Sequence, residues 1–388
     1  MRGHIRPQGK NSWQITVDLG VGPDGKRRRH FETVRGGKRD GQRRLNELLV
    51  NLEKGITARP GRVTVAEYLR QWLRGYVASN CSPRTLDGYT SIVERHLIPH
   101  LGNTQLKALV PEAIQEYYSK AFERLSPRTI HHHHRVLSQA LKHAVRQGYL
   151  GRNPCELVDA PSPRKKAMRS LTPGEVEVLL GAMGDSPYYA IVYTALSSGL
   201  RQAELLGLRW RDIDLDMLSL SVCQVLYKRR GVCQFKEPKT AHSRRRVAMT
   251  PKLALFLREY RAEREWLCQQ LGKRLTLDDL LFASPEGKPV DPCVLTHAFA
   301  RIAQRVGLKG VRFHDLRHTF ASLMLLRGAK PKVISEALGH SSVGFTMDTY
   351  SHIMDGMQRE AMALLDEVLP PAIAENISSR NCRDFSPL

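Results

Sequence analysis

The sequence predicts a multidomain α+β protein. Three observations lead to this fold class. Apolar residues alternate with polar ones near the N-terminus, they recur at helical spacing through the middle of the chain, and the C-terminal half combines such helices with short strand-like segments. We therefore expect a small N-terminal three-stranded sheet plus one helix, an all-helical second domain, and a mainly helical third domain with a small antiparallel sheet. A chain of 388 residues is long enough for two or three domains, each with its own core.

The charge balance indicates a polyanionic partner. The chain has 60 Lys and Arg against 38 Asp and Glu, a formal net charge of +22. Nucleic acid is the simplest partner for such an excess. Hydrophobic residues make up 41% of the chain and charged residues 25%, which excludes a largely disordered protein.

The sequence carries no sign of a membrane or secreted protein. No stretch approaches the roughly 18–20 uninterrupted apolar residues of a membrane span, and no apolar segment follows the basic N-terminus, so we expect no signal peptide. The seven cysteines are odd in number and include no Cys-x-x-Cys spacing. They favour a reducing compartment over a disulfide framework or a Cys-based zinc site. We expect a cytoplasmic, nucleoid-associated protein.

The first domain, expected over residues 1–58, is a small basic sheet. Apolar and polar residues alternate over residues 13–19, a Gly-Pro-Asp-Gly turn follows, and a strand returns over residues 26–31. A helix over residues 39–54 carries leucines on one stripe. The return strand contains three consecutive arginines, Arg27, Arg28 and Arg29. Because a two-stranded ribbon fits the DNA major groove, we favour DNA binding by these arginines over a merely solvated charged face.

The second domain, expected over residues 63–158, is all-helical. A capping box of Thr64 and Glu67 precedes the first amphipathic run, and the same Ser-Pro-Arg-Thr tetrapeptide opens two later helices at Ser82 and Ser126. In both tetrapeptides the serine is the expected N-cap and the proline fits the first helical turn. The arginine of each tetrapeptide is a candidate DNA contact, Arg84 and Arg128.

A basic linker, expected over residues 159–170, precedes the third domain. It contains prolines and a run of three cations that we expect to contact DNA, Arg164, Lys165 and Lys166. The third domain, expected over residues 171–366, reads as helices, then strands over residues 218–226 and 245–249, then further helices. Residues 367–388 are typical of a flexible tail.

Four consecutive histidines, residues 131–134, lie inside the helix that Ser126 opens. Consecutive residues of a helix fan out by about 100° each, so only His131 and His134 share a face. That geometry does not favour a metal site, and we expect no metal ligands in the chain. The prediction for the run is a DNA-facing or solvated helix surface.

Two segments of the third domain place an arginine beside a polar partner on a helix. Arg201 and Glu204 lie three residues apart, so the carboxylate can hold the guanidinium in one orientation. His314 and Arg317 are also three apart and can point two donors at one anion. We expect both to lie outside the apolar stripe of their helix, which consists of Leu316, Phe320, Leu323 and Met324.

Two further segments are a loop and a helix end. Lys239 lies in a turn between strands, over residues 237–247, and Gly339-His340 ends a helix ten residues before Tyr350. Taken singly, each of the four segments is more often a surface pair, a solvated loop or a packing element than a catalytic one. Their order and spacing together change that interpretation.

In this order, Arg-x-x-Glu, a hairpin Lys, His-x-x-Arg, Gly-His and a Tyr ten residues later resemble the tyrosine recombinase (phage integrase) family. The resemblance covers residues 63–365 as core-binding and catalytic domains, and residues 1–55 resemble the arm-binding domain of integrases. The neighbouring residues are similar to the family too: Thr-Ala-Leu-Ser-Ser-Gly-Leu-Arg ending at Arg201, Asp-Leu-Arg-His-Thr-Phe-Ala-Ser starting at Asp315, Leu-Gly-His-Ser-Ser around His340, and the nucleophile segment Thr-Met-Asp-Thr-Tyr-Ser-His around Tyr350.

The resemblance implies a site-specific recombinase that cuts and rejoins DNA and so integrates or excises a mobile element. Tyr350 would attack the scissile phosphate, form a 3′-phosphotyrosyl bond and release a 5′-hydroxyl. Because the bond energy stays in that covalent link, no ATP is required, and cations beside the phosphate take the place of a divalent metal. We therefore expect no cofactor.

The resemblance also implies which cations act on the phosphate. Arg201 and Arg317 would clamp the non-bridging oxygens, for which two planar guanidinium forks are suited. Glu204 would orient Arg201. Lys239 would protonate the departing 5′-oxygen, with Lys236 as its competitor for that role.

The histidines are assigned in the same way. His314 matches the family's proton-transfer and phosphate-contact histidine, and His340 matches its second phosphate donor. His318 would share the helix face of His314, but it lies outside the His-x-x-Arg frame of the family, so it receives no role here.

The partners implied are double-stranded DNA attachment sites (core and arm), a homotetramer on the DNA synapse, a DNA-bending host factor and an excisionase. Two alternatives differ in activity. A catalytically inactive DNA-binding regulator would not need the complete set of six catalytic residues, and a type IB topoisomerase uses a similar site as a monomer. The N-terminal ribbon favours an integrase, because such an enzyme grips two kinds of DNA site at once. Chromosome-dimer-resolving recombinases of the family are usually shorter and lack that domain.

Overall fold

A computed structural model describes residues 3–21, 27–53, 63–163, 168–238, 244–340, 342–344 and 346–350. The chain divides into two units, Met1–Lys165 and Lys166–Leu388. Within the described ranges, no helix is both long enough and apolar enough to cross a membrane.

The N-terminal sheet has three antiparallel strands, as predicted. They are β1 (Gly3–Gly9), β2 (Ser12–Val21) and β3 (Arg27–Arg35), in the order β1-β2-β3. Helix α1 (Lys38–Glu53) begins one residue before its predicted start. Its leucines pack against one face of the sheet in a small core of Ile15, Val17, Leu45 and Leu48.

The opposite face of the sheet carries the basic residues of β3. Side chains alternate along this strand, so that Arg27, Arg29 and Phe31 are exposed whereas Glu32 is half-buried. Glu32 faces the helix, where its carboxylate accepts a hydrogen bond from Nε of Arg44 at 2.9 Å. Phe31 is 58% exposed, so an aromatic ring stands on the same open face as the arginines.

The rest of the first unit is all-helical, also as predicted. Its α-helices are α2 (Val65–Trp72), α3 (Ala78–Asn80), α4 (Pro83–Ile92), α5 (Ile98–Leu101), α6 (Pro111–Phe122) and α7 (Pro127–Arg146). π-Helical turns at Leu73–Val77 and Val93–Leu97 continue α2 into α3 and α4 into α5. Short 3-10 turns lie at Leu106–Ala108 and Pro154–Leu157. The core of these helices is separate from that of the sheet.

The helix starts predicted in this region are confirmed. Oγ1 of Thr64 accepts a hydrogen bond from the backbone N–H of Glu67 at 3.2 Å, and the Glu67 carboxylate accepts one from the backbone N–H of Thr64 at 2.8 Å. Ser82 and Ser126 each accept a hydrogen bond from the N–H group three residues later, at 3.3 Å in both cases. The repeated tetrapeptide is therefore shared capping chemistry.

The histidine run is not a solvated surface, and that prediction was wrong. His133 is 1% exposed, and its Nδ1 lies 2.7 Å from Oη of Tyr117. Nδ1 of His134 lies 2.8 Å from Oη of Tyr118. Only His132 of the four is exposed. The buried residues of α7 form one stripe, and His133 lies on it, three residues after Ile130 and three before Val136. The prediction failed because a histidine was expected to face outward at a position that belongs to this buried stripe.

The second unit is mainly helical, with a small antiparallel sheet, as predicted. Its α-helices are α8 (Pro173–Met183), α9 (Tyr189–Ser198), α10 (Gln202–Leu205), α11 (Pro251–Gln270), α12 (Pro292–Arg305), α13 (Asp315–Leu326) and α14 (Pro331–Leu338). Its strands are β4 (Ile213–Asp214), β5 (Ser219–Ser221), β6 (Val225–Arg229), β7 (Val232–Lys236) and β8 (Arg246–Ala248). Strands β4, β5 and β8 form one sheet in the order β4-β5-β8, and β6 pairs with β7 in a separate hairpin.

The single strand predicted over residues 218–226 is two strands in two sheets. Strand β5 ends at Ser221 after pairing with β8, and β6 starts at Val225 and pairs with β7. The chain crosses between the sheets beside Gly207, where a Cβ atom would lie only 2.7 Å from the carbonyl oxygen of Gln224. Apolar residues continue through the crossing, so the sequence pattern does not show the break.

Helix α13 is enclosed on several sides, which the predicted apolar stripe did not anticipate. Arg317 was expected outside that stripe, but it is 4% exposed. The buried residues of the helix are Asp315, Leu316, Arg317, Thr319, Ala321, Ser322 and Leu325. Helices α9 and α14 both contact α13, and Oγ1 of Thr319 accepts a hydrogen bond from the backbone N–H of Leu171 at 3.0 Å. Arg317 is thus surrounded by protein.

We predict that the helical domain loses stability when His133 is protonated. Burial, assisted by His96 and His132, lowers the pKa of His133 to about 4 from a reference value of 6.5. The unfolded chain therefore binds more protons than the folded chain between these values. The free energy of unfolding should fall as the pH drops from about 6.5 towards 4, by on the order of 1–3 kcal/mol.

Urea unfolding at several pH values measures this effect. Fluorescence of Trp72 reports on the helical domain once Phe replaces the other tryptophans, Trp13, Trp210 and Trp266. His133→Gln should reduce the pH dependence, because glutamine does not titrate. His132→Gln is the matched control at the exposed neighbour and should retain most of it. An equal pH dependence in all three proteins would contradict the role given to His133.

Candidate active site

The ends of three helices converge at the candidate site. Helix α9 ends at Gly199 with a left-handed backbone, φ +64°. A Cβ atom there would lie 2.4 Å from Cδ1 of Phe320 in α13. Only glycine combines this φ with such a close approach. Arg201 follows two residues later as the N-cap residue of α10, which carries Glu204.

A buried carboxylate, that of Glu204, binds two arginines. Its Oε1 accepts a hydrogen bond from Nη1 of Arg201 at 2.8 Å, and its two oxygens accept from Nη1 and Nη2 of Arg245 at 3.1 Å and 2.9 Å. Burial alone would raise the pKa of Glu204. The hydrogen bonds and charges of Arg245 and Arg201 outweigh burial and lower that pKa below its usual value. Glu204 is therefore ionised at neutral pH.

The C-terminal end of α14 binds the same arginines and one more. Three successive carbonyl oxygens accept hydrogen bonds from three different guanidinium groups: Ala337 from Nε of Arg245 at 2.7 Å, Leu338 from Nη2 of Arg317 at 2.6 Å, and Gly339 from Nη2 of Arg201 at 3.3 Å. The last carbonyls of a helix have no partner within it, and the negative end of the helix dipole favours cations. The helix end is therefore a natural anchor for arginines.

Gly339 has two properties that suit this anchor. It ends α14 with φ +63°. A Cβ atom at this position would come within 3.0 Å of Nη1 of Arg245. The glycine of the Leu-Gly-His segment thus allows the guanidinium of Arg245 to pack against the helix end.

Arg317 is fixed by backbone on both sides. Its Nη1 donates to the carbonyl of Gly199 at 2.9 Å, opposite the bond to Leu338. Burial and the charge of Arg201 lower the pKa of Arg317 to about 9. The guanidinium group remains cationic at neutral pH. Two of its N–H groups serve these carbonyls, out of the five that a guanidinium carries.

Three histidines of the site are neutral. Burial is the main cause of a lowered pKa in each of them. The pKa of His314 lies below its usual value, and the pKa of His318 and of His340 is about 4. Nδ1 of His340 lies 2.8 Å from Oγ1 of Thr346. The rings of His314 and His318 lie 5.1 Å apart and nearly perpendicular. The positive charge of the described site therefore belongs to its arginines.

Tyr350 lies buried beside His318. Its Oη is 2.9 Å from Nδ1 of His318, and the residue is 2% exposed. The ring belongs to a cluster with Ala321, Leu325, Ile334 and Leu338. Burial raises the pKa of Tyr350 to about 12, although Arg317 acts in the opposite direction. The phenol is therefore protonated at neutral pH.

The structure brings most of the predicted catalytic residues together. The cluster contains Glu204 with Arg201, His314, Arg317, His340 and Tyr350. Lys239 lies outside the described residues, which stop at Pro238 and resume at Arg244. Its competitor Lys236 ends β7, and its Nζ lies 4.7 Å from the centre of the Tyr227 ring.

The predicted DNA-binding residues lie apart from this cluster in the sequence. Those with described side chains are all exposed: Arg27, Arg29, Arg84 and Arg128. The side chain of Arg28 and the linker residues Arg164, Lys165 and Lys166 fall outside the described part of the chain.

Two residues that the structure places in the site were not assigned a role from sequence. Arg245 precedes β8, where exposed Arg244 and Arg246 alternate with inward-facing residues. That period of two could have singled out Arg245. His318 was noted on the helix face of His314, but the family frame excluded it. Its contact with Tyr350 depends on tertiary structure and has no signal in the local sequence.

Two family profiles match the chain. The profile described as "Phage integrase family" matches residues 169–357, and the profile described as "Phage integrase, N-terminal SAM-like domain" matches residues 64–122. The first match includes the whole ordered set from Arg201 to Tyr350.

Named relatives match most of the chain. A tyrosine recombinase XerC-like protein of Caldanaerobacter subterraneus subsp. tengcongensis is 28% identical over 385 residues, covering 93% of this chain and 97% of that protein. The ICEBs1 integrase of Bacillus subtilis is 28% identical over 300 residues, covering 76% and 81% of the two chains.

Solved structures share the fold. The Tn1549 transposon integrase in complex with a circular intermediate DNA gives a TM-score of 0.68 at 23% identity, over 78% of this chain and 99% of that one. A lambda integrase dimer bound to a COC′ core site gives 0.56 at 17% identity, over 89% and 93%. The predicted fold class is thus confirmed. The matched profiles cover the first part of the helical domain, residues 64–122, and the domain that holds the arginine, histidine and tyrosine cluster. The chain belongs to the phage integrase family of tyrosine recombinases.

Proposed function

We propose that the chain is a site-specific DNA recombinase of the integrase type, which cuts and rejoins DNA through a 3′-phosphotyrosyl intermediate at Tyr350. The observation that carries the proposal is the cluster in which the Tyr350 phenol lies near Arg317, whose guanidinium lies in turn near Arg201. A nucleophile and preorganised cations are what phosphodiester transfer requires. The names of relatives from phages, a prophage and a mobile element support integration or excision of such an element as the role.

Arg201 and Arg317 would bind the non-bridging oxygens of the scissile phosphate. Both guanidinium groups are already held by backbone carbonyls, and Arg201 is held by Glu204 as well. They therefore need little reorganisation when charge develops on the phosphate. The side chain of Arg201 is 39% exposed, which supports direct access of this group to DNA. His314 and His340 would donate further hydrogen bonds to the phosphate.

Lys239 would donate the proton to the departing 5′-oxygen. Lys239 lies in the sequence between β7 and β8, and β8 is preceded by Arg245, which binds Glu204. That connection supports a position for Lys239 near the arginines. The contact of Lys236 with the Tyr227 ring, within the hairpin, favours a packing role for the competing lysine.

The proposed chemistry needs no ATP and no divalent metal. The phosphotyrosyl bond conserves the energy of the phosphodiester it replaces. Arginine and lysine would supply the positive charge that a metal ion supplies in other phosphoryl-transfer enzymes.

The proposed partners are DNA attachment sites and further copies of this chain. Residues 1–58 would bind arm sites, residues 63–158 core sites, and residues 171–366 would carry the chemistry. A lambda integrase tetramer bound to a Holliday junction shares the fold, with a TM-score of 0.55, which supports a homotetramer on the synapse. A DNA-bending host factor, an excisionase and a cytoplasmic, nucleoid-associated location complete the proposal.

Tyr350→Phe should leave DNA binding intact and abolish the covalent complex. Phenylalanine keeps the ring within its apolar cluster but removes the only nucleophilic oxygen at this position. A suicide substrate that traps protein on DNA reports the result directly. Tyr227→Phe, at an exposed hydroxyl in the β6–β7 hairpin, is a matched control and should trap like the wild type. Trapping of the Tyr350→Phe protein at the wild-type level would show that another residue is the nucleophile.

Arg201→Lys and Arg317→Lys should each slow cleavage by about 10²–10³ and change binding little. Lysine keeps the positive charge but lacks the planar fork that bonds both the backbone and a phosphate. Single-turnover cleavage at saturating protein measures the rate. Arg258→Lys, at an exposed pair with Asp216, is the matched control.

EDTA should leave the wild-type rate unchanged, and strict Mg²⁺ dependence would instead indicate a nuclease.

A fragment that starts at Val63 should bind and cleave core-site DNA but fail to bridge it to an arm site. The sheet and its helix have their own small core, so their removal leaves the helical core intact. Binding to two-site DNA should also depend less steeply on salt, by roughly 0.9 in the log–log slope for each lost phosphate contact. Gel shifts over a salt series compare this fragment, and the full-length Arg27→Ala/Arg29→Ala protein, with the wild type. Slopes equal to that of the wild type, with undiminished recombination, would contradict arm-site binding.

A further inference from the structure

His318 makes a contact that the family-based assignment leaves unexplained. Its Nδ1 lies 2.9 Å from Oη of Tyr350, and the two ring centres are 6.0 Å apart. Among the described residues, no other side chain forms a hydrogen bond with this hydroxyl, so no described arginine or lysine does. The oxygen that would attack DNA therefore faces an imidazole nitrogen.

The position of His318 is fixed by the element that also fixes Arg317. Both residues lie in the first turns of α13, which is anchored by the Thr319 hydroxyl and packs against α9 and α14. His314 stands one turn earlier, with its ring perpendicular to that of His318. The helix backbone and the neighbouring ring of His314 thus position the imidazole, and its Nδ1 remains available for the hydroxyl of Tyr350. An imidazole nitrogen that meets a phenol hydroxyl can accept its proton if the ring is neutral.

We propose that His318 is the general base for the nucleophile: its Nδ1 accepts the hydroxyl proton of Tyr350 as Oη attacks the scissile phosphorus. The inference rests on the proposed function, because it takes Tyr350 as the nucleophile. It adds a catalytic residue to the set, and it leaves His314 free for the phosphate.

The step balances in protons and bonds. Oη of Tyr350 forms a bond to phosphorus, the bond from phosphorus to the 5′-oxygen breaks, and the phenolic proton passes to Nδ1 of His318. The leaving 5′-oxygen takes a different proton, from the general acid. In the rejoining step the 5′-hydroxyl gives its proton back to the general acid and its oxygen bonds to phosphorus, while the bond from Oη to phosphorus breaks and His318 returns its proton to Tyr350.

The protonation states of the free protein are consistent with this role. The pKa of His318 is lowered to about 4, first by burial and then by His314 and Arg317, with Asp315 opposing and Arg312 adding a further lowering. His318 is therefore neutral, and Tyr350, with a pKa of about 12, holds its proton. Because the pKa of Tyr350 is far above that of His318, complete proton transfer before the attack would give very little phenolate and imidazolium. The proton must move together with the attack, which lowers the basicity of Oη as its bond to phosphorus forms.

Two substitutions separate proton acceptance from positioning. His318→Asn places an amide near the position of Nδ1 and can still hydrogen-bond to Tyr350, but it cannot accept a proton. His318→Phe keeps the ring volume and removes the hydrogen bond. Single-turnover cleavage by the full-length protein should slow by about 10²–10⁴ in both variants, with core-site binding unchanged. A purely positional role predicts near wild-type cleavage by His318→Asn and a defect only in His318→Phe.

A more acidic nucleophile should rescue the loss of a base. Difluorotyrosine incorporated at position 350 has a phenol that ionises more readily, so it should recover at least tenfold of the rate lost in His318→Asn. A substrate with a sulfur in place of the bridging 5′-oxygen needs no general acid. It should rescue Lys239→Ala but leave the His318→Asn defect unchanged.

The controls separate failure of this inference from failure of the proposed function. If Tyr350→Phe still forms the covalent complex, the nucleophile itself is misassigned. If Tyr350→Phe is inactive while His318→Asn cleaves at the wild-type rate, or faster, His318 is not the base and the proposed function stands. A His318→Asn defect that the sulfur substrate rescues would assign His318 to the leaving group and would also overturn the inference.

Discussion

Three guanidinium groups, one buried carboxylate and the carbonyl oxygens at one helix end hold the active site together. Glu204 needs donors, the last carbonyls of α14 need donors, and buried arginines need acceptors. Each set satisfies the other. Removing one member would leave its partners buried and unpaired, which is costly. These hydrogen bonds hold together the start of α10, the residue before β8, the helix α13 and the end of α14, and they do so before any DNA is bound.

Burial then decides which groups carry charge. Arg317 remains cationic, whereas the three histidines of the site are neutral and the tyrosine keeps its proton. Water is largely excluded from the interior of this cluster, so the field of the arginines is little screened there. A bound phosphodiester would thus meet fixed positive charge and groups that can exchange protons. The difference between charged arginine and neutral histidines and tyrosine thus follows from packing, and it requires only ordinary side chains.

Sequence patterns predicted what depends on neighbours in the chain and missed what depends on packing. The caps at Thr64 and Ser82 involve residues three apart, and the pair of Arg201 with Glu204 has the same spacing. The second partner of Glu204, Arg245, is 41 residues away, so no local pattern could pair them. His133 was misplaced because it is a polar residue on the single buried stripe of α7. Arg317 was misplaced because hydrophobic periodicity assumes one buried side per helix, and α13 is enclosed on several.

The three arginines at the C-terminal end of α14 are bound by main-chain carbonyl oxygens, so their positions depend little on the side chains of that helix end. Any residue that continues the helix supplies the same carbonyl, so the anchoring itself places no demand on the side chains of Ala337 and Leu338. Only Gly339 is restricted, by its backbone angle and by Arg245. Geometry that depends on backbone carbonyls can therefore survive substitution of the side chains that surround them. Lineages can then change the surfaces that read DNA, and so acquire new targets, while the reaction centre keeps its geometry.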